Sequence, residues 1–343
     1  MQKMQTNGPI RDYASYASLN QRRYLRPQTS GETLDTGLHT YRLYFREIAS
    51  YCLAPSALIA GFISCFSALL IPRLFQTSFL QNSRLQILEF IVILFVGLAI
   101  GFIVAGIGLA KISSICHGIA DLQLKGSSSF QIDIERNSNK AFLGSFFTYI
   151  RTFWFVIFPF ALSLAPIIIC GFIATVTPET DALTGIAGVL SLLCIPVGAV
   201  WSLTRIGLGI GAVSVTLAEK VTPKEAIKRA NYLFGRKSQP APKTNPVGTS
   251  IGNGIVIYLI LRGGYSAIIG QFEIERNITG WFSNAYAKQT VELMLSILPE
   301  FIAIWLIVPF IALTGALYYQ QRRIVVEGLD IETLYEILPA NRR

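Results

Sequence analysis

Residues 90–110 read FIVILFVGLAIGFIVAGIGLA and contain no charged side chain. A helix that crosses the hydrocarbon core of a bilayer needs about 20 mostly apolar residues, and this run meets that length. Three more uncharged apolar runs occupy residues 48–72, 152–178 and 182–204. These four runs predict transmembrane helices.

Two further apolar runs also predict spans, although each carries or adjoins a charge. Residues 251–272 are glycine-rich and contain Arg262 near their middle. Residues 301–321 are uncharged, but their helix is expected to begin earlier, near Val291 or Leu295, which places Glu300 inside the span. The predicted fold is therefore an all-α, polytopic membrane bundle of six transmembrane helices.

The composition of the whole chain agrees with this fold class. Of its 343 residues, 52% are hydrophobic and only 14% are charged, whereas soluble domains carry about 25% charged residues. A water-soluble fold of this size needs more charge to cover its surface. Disorder throughout, a collagen-like structure and a disulfide-rich secreted module are excluded for the same compositional reasons.

Lysine and arginine residues alternate between the segments that connect the predicted spans. The segment before the first span and those after the second, fourth and sixth hold 7, 5, 8 and 4 of them, against 2, 0 and 2 in the others. Because these residues concentrate on the cytoplasmic side, both termini are predicted to be cytoplasmic. The same bias explains the net charge of +9, so no nucleic-acid partner is predicted.

The chain is expected to have three parts. Residues 1–38 are polar, without helical or strand periodicity, and are expected to form a disordered cytoplasmic tail. Residues 39–334 are expected to form the six-helix membrane domain, and residues 335–343 a short cytoplasmic tail. The first apolar run is too long and too far from the start for a cleaved signal peptide, which favours an uncleaved signal anchor.

Three helices are expected to continue beyond the membrane as far as an acidic residue. These acids are Asp121, Glu219 and Glu327, with 98 residues from the first to the second and 108 from the second to the third. The spacing suggests three helical hairpins, each closed by a cytoplasmic elbow with an amphipathic helix. Chance similarity of helix ends is the alternative.

The second elbow carries the clearest local signals. Thr222, Pro223 and Glu225 have the order of an N-cap, a first helical residue and the third residue of a capping box. They predict an amphipathic helix over residues 224–234 that lies in the headgroup layer or packs under the bundle. Its apolar stripe is Ala226, Ile227, Ala230, Leu233 and Phe234, and its basic rim, expected to contact anionic lipid headgroups, is Lys228, Arg229, Arg236 and Lys237.

Two stretches resemble a known family. Residues 217–235 resemble the E-x-x-x-P-x-E-A-[IL]-x-R-[SA]-x-x-L elbow of bacterial six-helix membrane proteins, which are similar to the membrane domain attached to some glycerophosphoryl diester phosphodiesterases. Residues 317–330 resemble the closing Y-Y-[DQ]-x-R-x-x-x-x-E-G-x-D signature of that family, and the resemblance spans residues 38–334. It implies a bacterial inner-membrane protein without the hydrolase activity, because the phosphodiesterase is a separate soluble barrel domain.

Arg262 and Glu300 are the candidate substrate-binding residues. A charge near the middle of a span costs about 2.5–3.5 kcal/mol on insertion scales, so such residues are often functional. The adjacent pair Gly263–Gly264 makes a helix break plausible, which would let Arg262 approach Glu300. The alternative is that Arg262 extends its guanidinium to the interface.

No catalytic or cofactor site is predicted. The five cysteines lack CxxC spacing and are expected to be small buried side chains. The two histidines lie far apart, so no metal site is predicted, and the neighbours Cys116 and His117 would point about 100° apart on a helix.

Two functions are compatible with this pattern. The first is a non-enzymatic scaffold, assembly or envelope-integrity protein, with the bilayer and possibly another membrane protein as partners. The alternative is a transporter or channel for a small or lipid-like molecule, favoured by Arg262 and by four prolines within the spans. These prolines are Pro159, Pro166, Pro196 and Pro309.

Overall fold

The computed structural model describes residues 26–75, 84–125, 142–156, 181–235, 245–272, 280–281 and 285–328. Within these ranges the regular structure is α-helical, with no strand. The helices in chain order are α1 (Ser30–Leu43), α2 (Phe45–Phe75), α3 (Arg84–Lys125), α4 (142–156), α5 (Asp181–Glu219), α6 (Pro223–Phe234), α7 (Pro246–Gln271) and α8 (Ala285–Glu327).

Four helical segments are long and apolar enough to cross a membrane. They are Phe45–Ser67 in α2, Val96–Leu124 in α3, Pro246–Gln271 in α7 and Ile297–Glu327 in α8. The predicted span at 152–178 lies largely outside the described residues. The span predicted at 182–204 falls within α5, where the structure describes the helix but few side chains. The all-α class is thus confirmed over the described residues.

Among the side chains that the structure describes, dense packing is concentrated at one end of the bundle. Buried side chains concentrate near the C-terminal ends of α3, α5 and α8, whereas large apolar side chains are exposed along α2, α3 and α7. We name the dense end the base: α1, α6 and residues 110–125, 205–219 and 309–327. The exposed stretch is the apolar band; it includes Leu53, Leu58, Ile63, Leu98, Ile103, Ile255, Leu259 and Ile260.

Close contact between α2 and α3 depends on glycines of α3. A Cβ at Gly101 would lie 2.6 Å from the Phe62 ring, and one at Gly108 would lie 3.1 Å from the Pro55 carbonyl oxygen. Neither position has room for a side chain unless its neighbours move. Glycine at these two positions therefore lets the two helices pack closely.

The expected disorder of the N-terminal tail is wrong for residues 30–38, which belong to α1. The Thr29 hydroxyl accepts a hydrogen bond from the Glu32 N–H, and the Glu32 carboxylate accepts one from the Thr29 N–H, so a capping box begins the helix. The face that α1 buries consists of Thr33, Thr36, Gly37 and Thr40. Gly37 lies against Thr314 of α8, where an added Cβ would be 3.1 Å from the threonine hydroxyl. Because this face has no large apolar residue, hydrophobic periodicity does not reveal it.

Helices α5 and α8 end in the same way. Each has a glutamate as its last residue, followed by a residue in the left-handed region, Lys220 with φ 53° or Gly328 with φ 70°. The Lys220 N–H donates to the Thr216 carbonyl, and the Gly328 N–H donates to the Ile324 carbonyl. This left-handed cap normally selects glycine, so Lys220 holds a strained backbone.

We expect Lys220→Gly to raise the free energy of unfolding, and Gly328→Ala to lower it, by about 1 kcal/mol each, because only glycine avoids the Cβ clash of the left-handed region. Thermal unfolding of the purified protein in detergent measures both. Lys220→Ala is the control, since it removes the ammonium group without relieving the backbone. Equal stabilisation by Lys220→Ala and Lys220→Gly would contradict this explanation.

Candidate functional site

Arg229 of α6 lies between the ends of α5 and α8. Its Nε donates to both carboxylate oxygens of Glu219 at 3.2 Å, and its Nη2 pairs with Glu327. The Tyr319 hydroxyl donates to Glu219 at 2.9 Å, and the Arg323 Nε donates to Glu327 at 3.0 Å. We name these five residues the Arg229 cluster.

The predicted capping box begins the helix that presents Arg229. The Thr222 hydroxyl accepts from the Glu225 N–H, the Glu225 carboxylate accepts from the Thr222 N–H, and Pro223 opens the helix. Hydrogen bonds from the Thr222 hydroxyl and then from its backbone N–H lower the pKa of Glu225 below its usual value. The predicted N-terminus of this helix is therefore confirmed.

The apolar stripe of α6 fixes which way Arg229 points. Ala226, Ala230 and Leu233 are buried in one cluster with Val215 of α5 and Tyr319 of α8. The remaining stripe residues, Ile227 and Phe234, pack against the same cluster partly buried. The predicted amphipathic helix is thus confirmed, and its apolar side binds both α5 and α8.

The cluster is partly withdrawn from water. The exposed fractions of the side chains are 32% for Arg229, 20% for Glu219 and 19% for Glu327. Burial by itself lowers the pKa of Arg229, but its hydrogen bonds and charge interactions with Glu219 and Glu327 outweigh this and raise the pKa above the ordinary value. The planar guanidinium of Arg229 therefore stays charged and pairs with two acids that would otherwise repel each other, and Arg323 supplies the second positive charge of the cluster.

The structure brings together two of the three elbow acids. Glu219 and Glu327 share Arg229, whereas α3 continues past Asp121 as far as Lys125. Of the four cations predicted to contact lipid headgroups, Arg229 points at these acids, Lys228 is exposed, and Arg236 and Lys237 lie outside the described residues. Sequence reasoning missed Tyr319, because its hydrogen bond joins residues 100 positions apart.

A second polar group lies in the apolar band. The Arg262 Nη1 donates to the Tyr258 hydroxyl at 2.8 Å and pairs with Glu300 of α8. The predicted break at Gly263–Gly264 is wrong, because α7 is one continuous helix. The pair forms because α7 and α8 pack side by side and antiparallel: Gly254 meets Ile307, and the Tyr265 hydroxyl reaches the Leu295 carbonyl.

The Arg262–Glu300 pair is unevenly covered. The exposed fraction is 55% for the Arg262 side chain and 15% for that of Glu300. The Glu300 Oε2 atom is buried and has no hydrogen-bond partner among the described residues. Tyr258 was missed, although a tyrosine one helical turn before an arginine is a readable signal. The substrate-binding role of Arg262 and Glu300 stays a prediction.

The described cysteines differ in burial, and Cys194 is half-buried. Cys52 and Cys116 are fully buried, and the Cys116 thiol donates to the Pro309 carbonyl at 3.3 Å. Cys65 is exposed in the apolar band, so the expectation of burial is confirmed for the first two and wrong for Cys65. Cys170 lies outside the described residues. The described cysteines are all reduced.

Comparison of the chain with protein families, with curated proteins and with solved structures finds no match. The chemistry of the two polar groups therefore carries the inference of function. The Arg229 cluster joins helix ends through charge. The Arg262–Glu300 pair keeps a hydrogen-bonding cation and an acid in an apolar environment.

We expect Arg229→Gln to lower the free energy of unfolding by about 2 kcal/mol, less than for a fully buried ion pair because the cluster is partly exposed. The loss arises because Glu219 loses its ion pair and only Arg323, paired with Glu327, remains to offset the two acids. Glu219→Gln added to Arg229→Gln should recover part of it by removing one of the two like charges. Thermal unfolding in detergent measures the cycle, and strictly additive losses would show that the acids do not interact through Arg229.

Proposed function

We propose that this chain is a non-enzymatic, integral inner-membrane protein of bacteria with a scaffold, assembly or envelope-integrity role. The observation that carries the proposal is the Arg229 cluster, which ties α5, α6 and α8 into one base. A transporter exchanges two arrangements of its helices during each cycle. An ion-paired base opposes such an exchange and favours a protein that holds partners in place.

The proposal includes six transmembrane helices in three hairpins. The alternation of lysine and arginine supports the number of spans. The matching ends of α5 and α8, each a glutamate followed by a left-handed residue, support the repeat. The first elbow differs, since α3 extends past Asp121. The resemblance to the membrane domain of some glycerophosphoryl diester phosphodiesterases remains part of this proposal.

In this arrangement the cytoplasmic edge of the bilayer lies near Arg205. The Arg205 guanidinium stacks 4.7 Å from the centre of the Phe155 ring, as expected of a cation that reaches from the edge of a span. Exposed apolar side chains line other helices as well, for example Leu53, Ile107 and Ile255. The end of the base that carries the Arg229 cluster would therefore face the cytoplasm.

Topology is tested with reporters fused near Ser30 and after Asn341. Six spans with cytoplasmic termini require both fusions to be active as cytoplasmic reporters and inactive as periplasmic ones. A fusion within residues 273–284, between α7 and α8, is the control of opposite sign, because this segment is predicted to face the periplasm. Reporters at the two termini on opposite faces would overturn the even number of spans.

The proposed role is tested by complementation. Cells that lack the protein should become more sensitive to bile salts and hydrophobic dyes, and the wild-type chain should restore resistance. Arg229→Gln should fail to restore it at equal membrane abundance, whereas Arg262→Ala should succeed, because only the first variant loosens the base. Full resistance with Arg229→Gln would contradict the proposal.

A transporter or channel for a small or lipid-like molecule is the second candidate. The half-exposed Arg262 beside a buried, unpartnered oxygen of Glu300 favours it, since a ligand could satisfy both groups. The same complementation separates the two functions. Failure of Arg262→Ala together with success of Arg229→Gln would support transport and reject the scaffold.

A further inference from the structure

Helix α4 exposes an apolar face that carries one cation. Its large apolar side chains Leu143, Phe147, Trp154 and Phe155 have exposed fractions of 64%, 56%, 67% and 47%, and Arg151 is exposed among them. At 3.6 residues per turn, these five positions fall within about 120° of one side of the helix. Tryptophan is enriched where a membrane helix meets the bilayer–water interface. The face therefore has the character of a surface in contact with lipid.

Helix α5 brings a second cation to the same helix. The Thr148 and Thr216 hydroxyls meet at 2.9 Å, and the Ser202 hydroxyl donates to the Val156 carbonyl at 2.8 Å. The later residue of α4 thus contacts the earlier residue of α5, so the two helices lie side by side and antiparallel. Arg205 lies between these two contacts along α5.

The two arginines lie close together at the exposed face. The Arg205 guanidinium stacks 4.7 Å from the centre of the Phe155 ring. Phe155 is one helical turn after Arg151, so the Cβ atoms of these two residues are about 6 Å apart. The stacking therefore holds Arg205 at the edge of the face on which Arg151 is exposed.

This part of the two helices has a positive charge only. Residues 142–156 of α4 contain no aspartate or glutamate, and neither do residues 182–218 of α5. Arg151 and Arg205 are the charged side chains of these two stretches. Two cations within an exposed apolar surface match a molecule that carries both a negative group and hydrocarbon chains. An anionic phospholipid has both.

We propose that this surface binds an anionic phospholipid of the cytoplasmic leaflet. The arginines contact the phosphate, and the aromatic and leucine side chains contact the upper part of the acyl chains. A soluble anion would leave the apolar side chains uncovered, and a zwitterionic lipid would bring its own cation close to the arginines. We name it the α4 surface; it consists of Leu143, Phe147, Arg151, Trp154, Phe155 and Arg205. The inference goes beyond the scaffold role and uses only the proposed position of Arg205 at the edge of the bilayer.

Fluorescence quenching by brominated lipids tests the proposal, because bromine near the headgroup end of an acyl chain quenches a tryptophan that it contacts. The full-length protein is reconstituted in phosphatidylcholine vesicles, and a fixed fraction of the lipid is replaced by brominated phosphatidylglycerol or brominated phosphatidylcholine. The signal of Trp154 is the difference between the wild-type chain and Trp154→Phe. Brominated phosphatidylglycerol should quench this signal more strongly. Equal quenching by the two brominated lipids would overturn the proposal.

Charge variants show whether the arginines select the lipid. Arg151→Gln and Arg205→Gln should each lower the preference for phosphatidylglycerol about fivefold, the contribution of one arginine near an anionic headgroup. Arg151→Lys should retain most of the preference, because it keeps the charge. Arg46→Gln is the matched control, since it removes one exposed cation of α2. An equal loss in Arg46→Gln would show general attraction to a positively charged protein and would overturn the site.

Inorganic phosphate distinguishes a lipid from a soluble anion. An excess of phosphate at constant ionic strength should leave the preference for phosphatidylglycerol unchanged, because phosphate has no acyl chain to contact Phe147 and Trp154. Loss of the preference would assign the arginines to a soluble anion and overturn the proposal. Because the purified protein is used, a failed quenching result would leave the complementation result intact, and failed complementation would leave the quenching result intact.

Discussion

The base depends on the ion pairs that Arg229 forms with both Glu219 and Glu327. Without them, two helices would end with facing carboxylates in a partly buried site. The fork of a guanidinium suits this task better than a lysine ammonium, because its planar donors reach two acids at once. Helix α6 places this guanidinium where the ends of α5 and α8 meet.

The base and the apolar band use different packing. In the band, glycines let aromatic rings and backbones approach, while leucine and isoleucine side chains face outward. In the base and in the adjacent α4, small hydroxyl residues fill helix contacts, and many bond to a carbonyl one turn earlier, as Thr148 does with Gly144 and Thr216 with Ala212. The Thr148 and Thr216 hydroxyls also meet across α4 and α5 at 2.9 Å. Their polarity is therefore satisfied locally, and the interfaces stay close.

The Arg262–Glu300 pair shows the opposite arrangement of charge. It is a single pair. Arg262 is the one cation of α7, and more than half of its side chain is exposed. Pairing with Glu300 offsets much of the cost of holding an arginine among apolar side chains. The Arg229 cluster, held by several hydrogen bonds and ion pairs, favours a role in holding the helix ends together. The half-exposed Arg262–Glu300 pair in the apolar band favours contact with a ligand.

The sequence by itself determined the helical class, the long apolar helices, the capping box at Thr222 and the acid that ends α5, because each depends on residues a few positions apart. It also placed Arg262 and Glu300 in neighbouring apolar helices. Only the tertiary structure decided that Arg229 faces two acids rather than lipid, that α1 packs through threonines, and that α7 stays unbroken. The first two outcomes bring together residues from different helices, Arg229 with Glu327 and Gly37 with Thr314, and local patterns carry no information about which helices become neighbours.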